Sequence, residues 1–146
     1  MIDYGQFCTV ARGAEVLGEL WTPLVIRELL CGSHRFNDLR RGVPRMSATL
    51  LTQRLRKLEE MGVIERRRVK GGFEYHLTAA GEELRRVVEA LGGWDVRWIG
   101  ELGDADPQLL LWDMHRNVDH TAVPKGQTVV RFHFPDAAPE PATGGC

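Results

Sequence analysis

The run Phe36 to Glu60, FNDLRRGVPRMSATLLTQRLRKLEE, reads as two helices around a tight turn. Phe36 and Leu39 lie three apart on one face of the first helix, and Gly42 suits a left-handed exit from it. Pro44 forbids simple continuation. Ser47 is a good N-cap for the second helix, because its hydroxyl can accept from a first-turn amide. In that helix Leu51, Leu55 and Leu58 follow the i, i+4, i+7 spacing of one buried stripe, which turns Thr49, Thr52, Gln53 and Arg56 away from the core. Small and amide side chains near a helix start allow it to enter a major groove and meet base edges, leaving Arg and Lys to hold phosphates. The competing reading is a helical hairpin whose polar face meets only water, and spacing alone does not separate the two.

The next segment weighs against the hairpin. Met61 and Gly62 end the second helix, Val63 to Val69 (VIERRRV) alternates like a strand, Lys70-Gly71-Gly72 is a turn, and Phe73 to Thr78 (FEYHLT) returns. A basic hairpin directly after a candidate recognition helix can lie on the phosphate backbone or in a minor groove. Charge supports the same reading. Residues 35–70 hold eleven Lys or Arg against four acids, a balance of +7 in a chain of net charge −1, so the remainder carries −8. Such concentration is an electrostatic footprint rather than a diffuse solvated surface. The candidate DNA contacts are Arg45, Ser47, Thr49, Thr52, Gln53, Arg56, Arg67, Arg68 and Lys70. Thr49, Thr52 and Gln53 are expected to face base edges, and the basic residues phosphates. Arg54 projects closer to the apolar flank, where it can brace an acid.

At 146 residues with 43% hydrophobic and 27% charged side chains, the chain has ordinary globular values and room for one domain with an appendage. No apolar run approaches a membrane span, and the N-terminus lacks a signal-peptide pattern, so no membrane partner and a cytoplasmic location are expected. Three cysteines, Cys8, Cys31 and Cys146, form no C-x-x-C, disulfide or zinc pattern.

Upstream, Ala11 to Leu20 reads as a helix and Trp21 to Leu30 as a second, with Pro23 in its first turn and Leu24, Val25, Leu29 and Leu30 making it the most buried. Gly32 stops it. Downstream, Thr78 can cap a long helix whose first turn carries acids. Its apolar stripe, Leu84, Val87, Val88, Leu91, Trp94, Trp98, Ile99 and Leu102, exceeds what a domain of this size needs for its own core, which suggests a partner helix. Gly92-Gly93 within it is a kink or close-packing point.

Several separated motifs, in order and at matching distances, resemble the HxlR-type winged-helix regulators. They are Cys8-Thr9-Val10-Ala11, Leu17-Gly18-Glu19-Leu20-Trp21-Thr22, Ile26-Arg27-Glu28-Leu29-Leu30 with Gly32, Arg35-Phe36, Leu39-Arg40, Ser47 to Glu60, Gly62 to Arg66, Glu74 to Thr78, Gly81 and Gly92-Gly93-Trp94. The resemblance covers roughly 8–103 and implies a mainly α winged helix-turn-helix fold with a small β-hairpin and a long C-terminal dimerisation helix. It also implies a homodimeric transcriptional regulator that binds double-stranded DNA at a pseudo-palindromic operator, with the first and last helices pairing across the dimer. Thr9 stands where the family has Pro, and Lys70-Gly71-Gly72 replaces a longer Pro-containing loop. The resemblance also makes Cys8 a candidate redox sensor and leaves room for a redox or small-molecule effector. Against that, a free cysteine is commonly buried and inert, and Arg12 is the one cationic neighbour in sequence that could lower its pKa.

Beyond residue 103 the character changes. Gln108 to Arg116 can form a helical turn or two, and Thr128 to Phe134 alternates like a strand with Val130, Phe132 and Phe134 as its apolar face. Residues 104–134 form a partial appendage, of which Asp106 to Asp136 is similar to the start of a sterol-carrier-protein-type domain. Residues 135–146, rich in Pro and Gly, are expected to be disordered. Asp113, His115, Asp119 and His120 lack a recognised ligand spacing, so no metal is assigned. No phosphate loop, nucleophile elbow or paired catalytic carboxylates are visible, so neither an enzyme nor a cofactor is expected. His34 and His76 read as hydrogen-bonding residues, and Trp21, Trp94 and Trp98 as core or interface. Two classes remain: a DNA-binding regulator, and a redox- or ligand-responsive interaction protein that uses the helix-turn-helix as a dimerisation scaffold.

Overall fold

The buried apolar positions come from three consecutive helices, the turn between the last two and the start of the hairpin behind them, in the first of two compact units, Met1–Leu102 and Gly103–Cys146. The structure, a computed structural model, describes residues 3–99, 107–119, 121–123, 126 and 128–133. The first unit runs α1 (Thr9–Leu17), α2 (Thr22–Leu30), α3 (Phe36–Gly42), α4 (Ala48–Glu60), β1 (Ile64–Val69), β2 (Gly72–Leu77), α5 (Ala79–Glu83) and α6 (Arg85–Trp98). Its core joins Val25, Ile26 and Leu29 of α2, Leu39 of α3, Val43 and Met46 of the turn, Leu51, Leu55 and Leu58 of α4, and Val63 and Ile64 at the start of the hairpin. Each such side chain contributes about 1.5–3 kcal/mol on burial. The i, i+4, i+7 stripe of α4 is thus the inner wall of the domain, as its spacing predicts.

Three local expectations change. The first helix ends at Leu17 rather than Leu20, because Gly18 closes it and Glu19 to Thr22 forms a tight turn in which the Thr22 amide donates to the Glu19 carbonyl at 3.0 Å. In that turn Trp21 has φ +76°, a left-handed conformation that costs a large residue about 1–3 kcal/mol and is held by packing of its ring on the core. Leu24, expected inside α2, is 38% exposed, and Glu28 is buried instead. Gly42 is no left-handed exit. It is the last residue of α3, and a Cβ there would fall 2.0 Å from the Glu28 carboxylate. Glycine is required by that close approach, not by φ. The Glu28 carboxylate accepts from Arg27 Nη2 at 2.8 Å and from Ser33 Oγ at 3.3 Å, and Arg27 Nη2 also donates to the Gly42 carbonyl at 3.1 Å.

The hairpin is antiparallel, with Ile64 opposite Leu77 and Val69 opposite Gly72, so its turn is the two residues Lys70-Gly71. Gly72 belongs to the strand. The outer edge of β2 is partly covered by the segment before α3: the Tyr75 amide donates to the His34 carbonyl at 2.9 Å, and Arg35 bridges to Glu74. Such cover blunts an edge that would otherwise present unpaired backbone groups.

Thr78 caps a helix, as expected, through its hydroxyl and the Gly81 amide at 3.2 Å. That helix is not continuous. It breaks at Leu84, whose amide bonds the Gly81 carbonyl three residues back, separating α5 from α6. Leu84 and Val88 pack on the core, whereas Val87, Leu91, Trp94, Val96, Trp98 and Ile99 are exposed. Gly92 and Gly93 stay helical, and a Cβ on either would meet nothing within 4 Å, so they are no close-packing point among the described residues. Leu102 lies outside the described residues.

In the second unit α7 spans Pro107–Arg116, with Arg116 Nε donating to Asp113 at 3.0 Å. Of the strand expected over Thr128 to Phe134, residues 128–133 take no strand conformation and have no ladder partner among the described residues, and Val129, Val130 and Phe132 are exposed; a lone alternating run leaves its own amides unsatisfied. Phe134, His120 and the 135–146 tail fall outside the described residues. No helix among the described residues is long and apolar enough to cross a membrane.

Candidate nucleic-acid interface

The polar face of α4 is built by its own cap and stripe. Ser47 has extended φ/ψ (−67°, 150°), and its Oγ accepts from the Leu50 amide at 3.2 Å, fixing where the helix begins. With Leu51, Leu55 and Leu58 inside, Thr49, Thr52, Gln53 and Arg56 fall together on the exposed face. The Thr52 hydroxyl donates to the Ala48 carbonyl at 2.9 Å, so its methyl and free lone pairs are what it presents outward. Gln53 and Arg56 have no polar partner among the described residues. Arg45, exposed in the turn before Ser47, likewise has no ion-pair partner there.

On the hairpin the basic residues separate by strand alternation. Ile64, Arg66 and Arg68 share one face, and Glu65, Arg67 and Val69 the other. Arg66 lies over the Phe73 ring at 4.7 Å and 3.7 Å from Glu59, tying the hairpin to the end of α4. Arg67 pairs with Glu65. Arg68 and Lys70 are exposed with no acidic partner among the described residues. Thr49, Thr52, Gln53 and Arg56 are therefore brought to one surface, with Arg45 and Ser47 at its leading end, while Arg67 and Arg68 are sent to opposite faces of the hairpin. Exposed pairs such as Arg67 with Glu65 contribute about 0–1 kcal/mol, so a phosphate can displace the acid.

Arg54 is the basic residue of α4 that turns inward. Its guanidinium pairs with Glu19, and its Nε donates to the Leu20 carbonyl at 3.2 Å. The bracing acid anticipated from helical projection is thus Glu19. Its position could not be read in advance, because nothing local to residue 54 points to the turn between the first two helices.

The edge of β2 holds a second polar group, whose members come from segments far apart in sequence. His34 and His76 stack with ring centroids 4.3 Å apart, His34 Nδ1 donates to the Tyr75 carbonyl at 3.1 Å, and His76 Nε2 lies 3.2 Å from Glu74. The hydrogen bond from His76 holds the Glu74 carboxyl below its ordinary range, with Arg35 and the two imidazoles adding to that against partial burial.

Cys8 is exposed, not buried, and stands at the N-cap of α1. The backbone amides of Ala11 and then Val10 lower its pKa, and Arg12 is not among the causes. The helix start favours the thiolate as it favours other anions.

A profile of the HxlR-like helix-turn-helix family matches residues 16–102. The HTH-type transcriptional regulator YvaP of Bacillus subtilis is 31% identical over 91 residues, 60% of this chain and 84% of that protein. Among solved structures, the redox regulator HypR in its reduced form superposes with TM-score 0.57 at 30% identity, covering 63% of this chain and 96% of HypR. The reduced form of the transcriptional regulator YodB from B. subtilis gives TM-score 0.55 at 27% identity, covering 69% of this chain and all of YodB.

Proposed function

This chain is a transcriptional regulator of the HxlR-like helix-turn-helix family, and on that premise we propose that it acts as a homodimer on a pseudo-palindromic double-stranded DNA operator. The observation that carries the reading is the outer face of α4, where Gln53 and Arg56 are unengaged while every apolar residue of the helix's stripe is inside. In the proposed complex Thr49, Thr52 and Gln53 meet base edges, Arg45, Arg56, Arg67, Arg68 and Lys70 meet phosphates, and Ser47 fixes the helix start. The exposed Leu91, Trp94, Trp98 and Ile99 of α6, with α1, form the contact between copies. Two copies of α4 then read half-sites about one helical turn apart.

The test is a fluorescence-anisotropy titration on a duplex selected from random sequence and on an unselected duplex. Gln53→Ala is expected to lose about 1–3 kcal/mol on the selected duplex alone, whereas Arg68→Ala weakens both equally and flattens the salt slope. Equal losses on both duplexes for Gln53→Ala would remove it from base reading. A chain that never prefers one duplex over the other would favour the alternative, an interaction protein with the helix-turn-helix as scaffold.

A second reading, thiol control of DNA affinity through Cys8, is favoured by its exposure and its amide-stabilised thiolate. YodB has been solved in diamide-treated and quinone-bound forms as well as reduced. DNA affinity of this chain is expected to change after diamide treatment and to stay constant in Cys8→Ser. We propose that the described residues of the second unit, one helix and a run with no ladder partner among them, wall no ligand pocket of their own.

A further inference from the structure

The turn between α1 and α2 reaches directly onto the DNA-reading helix. Arg54 follows Gln53 in sequence, and its side chain is held toward the turn before α2 by two acceptors, the Glu19 carboxylate and the Leu20 carbonyl, the latter 3.2 Å from Nε. Both side chains are largely shielded, Arg54 19% and Glu19 13% exposed, so this is no solvated surface pair. The acceptors are aimed by the turn itself. The Glu19 carbonyl takes the Thr22 amide, and Trp21 in its left-handed conformation redirects the chain immediately after Leu20. The crevice that Glu15, Glu19, Thr22, Arg54, Lys57 and Met61 line is about 10 Å³, room for at most one water, so the bridge has little slack.

We infer that Arg54 is a positioning residue for DNA recognition: its bridge to Glu19 and the Leu20 carbonyl fixes the rotation of α4 and couples the α1 to α2 turn to the face that carries Thr49, Gln53 and Arg56. The leucine stripe holds α4 by apolar burial, which is not directional about the helix axis. A guanidinium held by two fixed acceptors adds a directional restraint one residue from Gln53. A few degrees of helix rotation moves a base-contacting amide by tenths of an ångström, enough to spoil a bidentate contact while leaving phosphate contacts nearly unchanged. The coupling is reciprocal: DNA engaged by α4 stiffens the turn at Glu19, and displacement of α1, which carries Cys8 at its start, is transmitted to α4.

The inference rests on the DNA-reading assignment of α4, and the experiment separates the two. Arg54→Gln, Glu19→Gln and the double variant are compared with the full wild-type chain on a selected and an unselected duplex over a range of salt, alongside hydrogen exchange of the α4 amides. Positioning predicts that each single variant loses roughly fivefold to tenfold in discrimination with no change in salt slope, that the double variant loses no more, and that α4 exchange accelerates alike in all three. If Arg54 instead contacts phosphate, Arg54→Gln lowers the salt slope by about one and Glu19→Gln tightens binding to both duplexes by freeing the guanidinium, which overturns the inference. If the wild type discriminates no duplex, the DNA-reading assignment fails, and the bridge is still judged by exchange: matched acceleration in both single variants supports the restraint on α4, and unchanged exchange overturns it.

Discussion

Helices α4 and α6 have nearly the same length, 13 and 14 residues, and both are amphipathic by sequence, yet the chain treats them in opposite ways. Every leucine of the α4 stripe is within 2% of complete burial, whereas no residue of α6 is buried and Trp98 is 71% exposed. Periodicity reports that a helix has an apolar face; it does not report what covers the face. For α4 the cover is α2, α3 and the hairpin of the same chain. For α6 only Val88, with Leu84 just before its first residue, finds a place on that core, and the rest is left for a second copy in the proposed dimer.

The largest effect that sharpens the contrast comes from truncating each stripe in turn. Leu55→Ala opens a cavity in a closed core and is expected to cost about 2–5 kcal/mol in urea unfolding, with a midpoint independent of protein concentration. Leu91→Ala should behave differently, lowering the midpoint most at low concentration, because its loss is felt through the contact between copies. Concentration-independent loss for Leu91→Ala would mean that α6 is covered within the chain after all. Next in size is the cap of α4. Ser47→Ala removes the acceptor for the Leu50 amide and is expected to cost about 1 kcal/mol, read by the same unfolding curves, whereas α6, which begins without a side-chain cap, offers no such handle.

A smaller effect tests the hairpin that closes one end of the α4 core. The folded-state pKa of Glu74 is depressed, chiefly by His76, so its contribution to stability is fully present above the ordinary glutamate value of about 4.3 and is lost as pH falls through the folded value. Unfolding midpoints measured from pH 6 down to pH 2.5 should fall more steeply for the wild type than for Glu74→Gln; parallel profiles would show that this carboxylate is not linked to folding. The smallest effect concerns Cys8. Its alkylation by iodoacetamide should rise with an apparent pKa below that of an unperturbed thiol such as the same peptide unfolded, followed by mass spectrometry of the Cys8 peptide.

What was legible in the sequence divides along the same line. The two helices of the Phe36 to Glu60 run, the Ser47 cap, the hairpin and the outward set Thr49, Thr52, Gln53 and Arg56 follow from local chemistry and a single periodicity, and the structure has them within a residue or two. The misses are contacts between segments far apart in sequence. Gly42 looked like a left-handed exit because its neighbour in space, the buried Glu28, is fourteen residues away. Glu19 as the partner of Arg54, and His34 and Arg35 as the cover of the β2 edge, have no local signature at all. The run from Thr128 carried a strand's alternation, but a strand exists only where another supplies its ladder.

Sedimentation velocity of the full chain and of Trp94→Asp, at micromolar concentration with matched circular dichroism, tests the contrast between α4 and α6 most directly. The wild type is expected to sediment as a dimer and Trp94→Asp as a folded monomer; a wild-type monomer, or a Trp94→Asp chain that remains dimeric, would rule out α6 as the contact between copies.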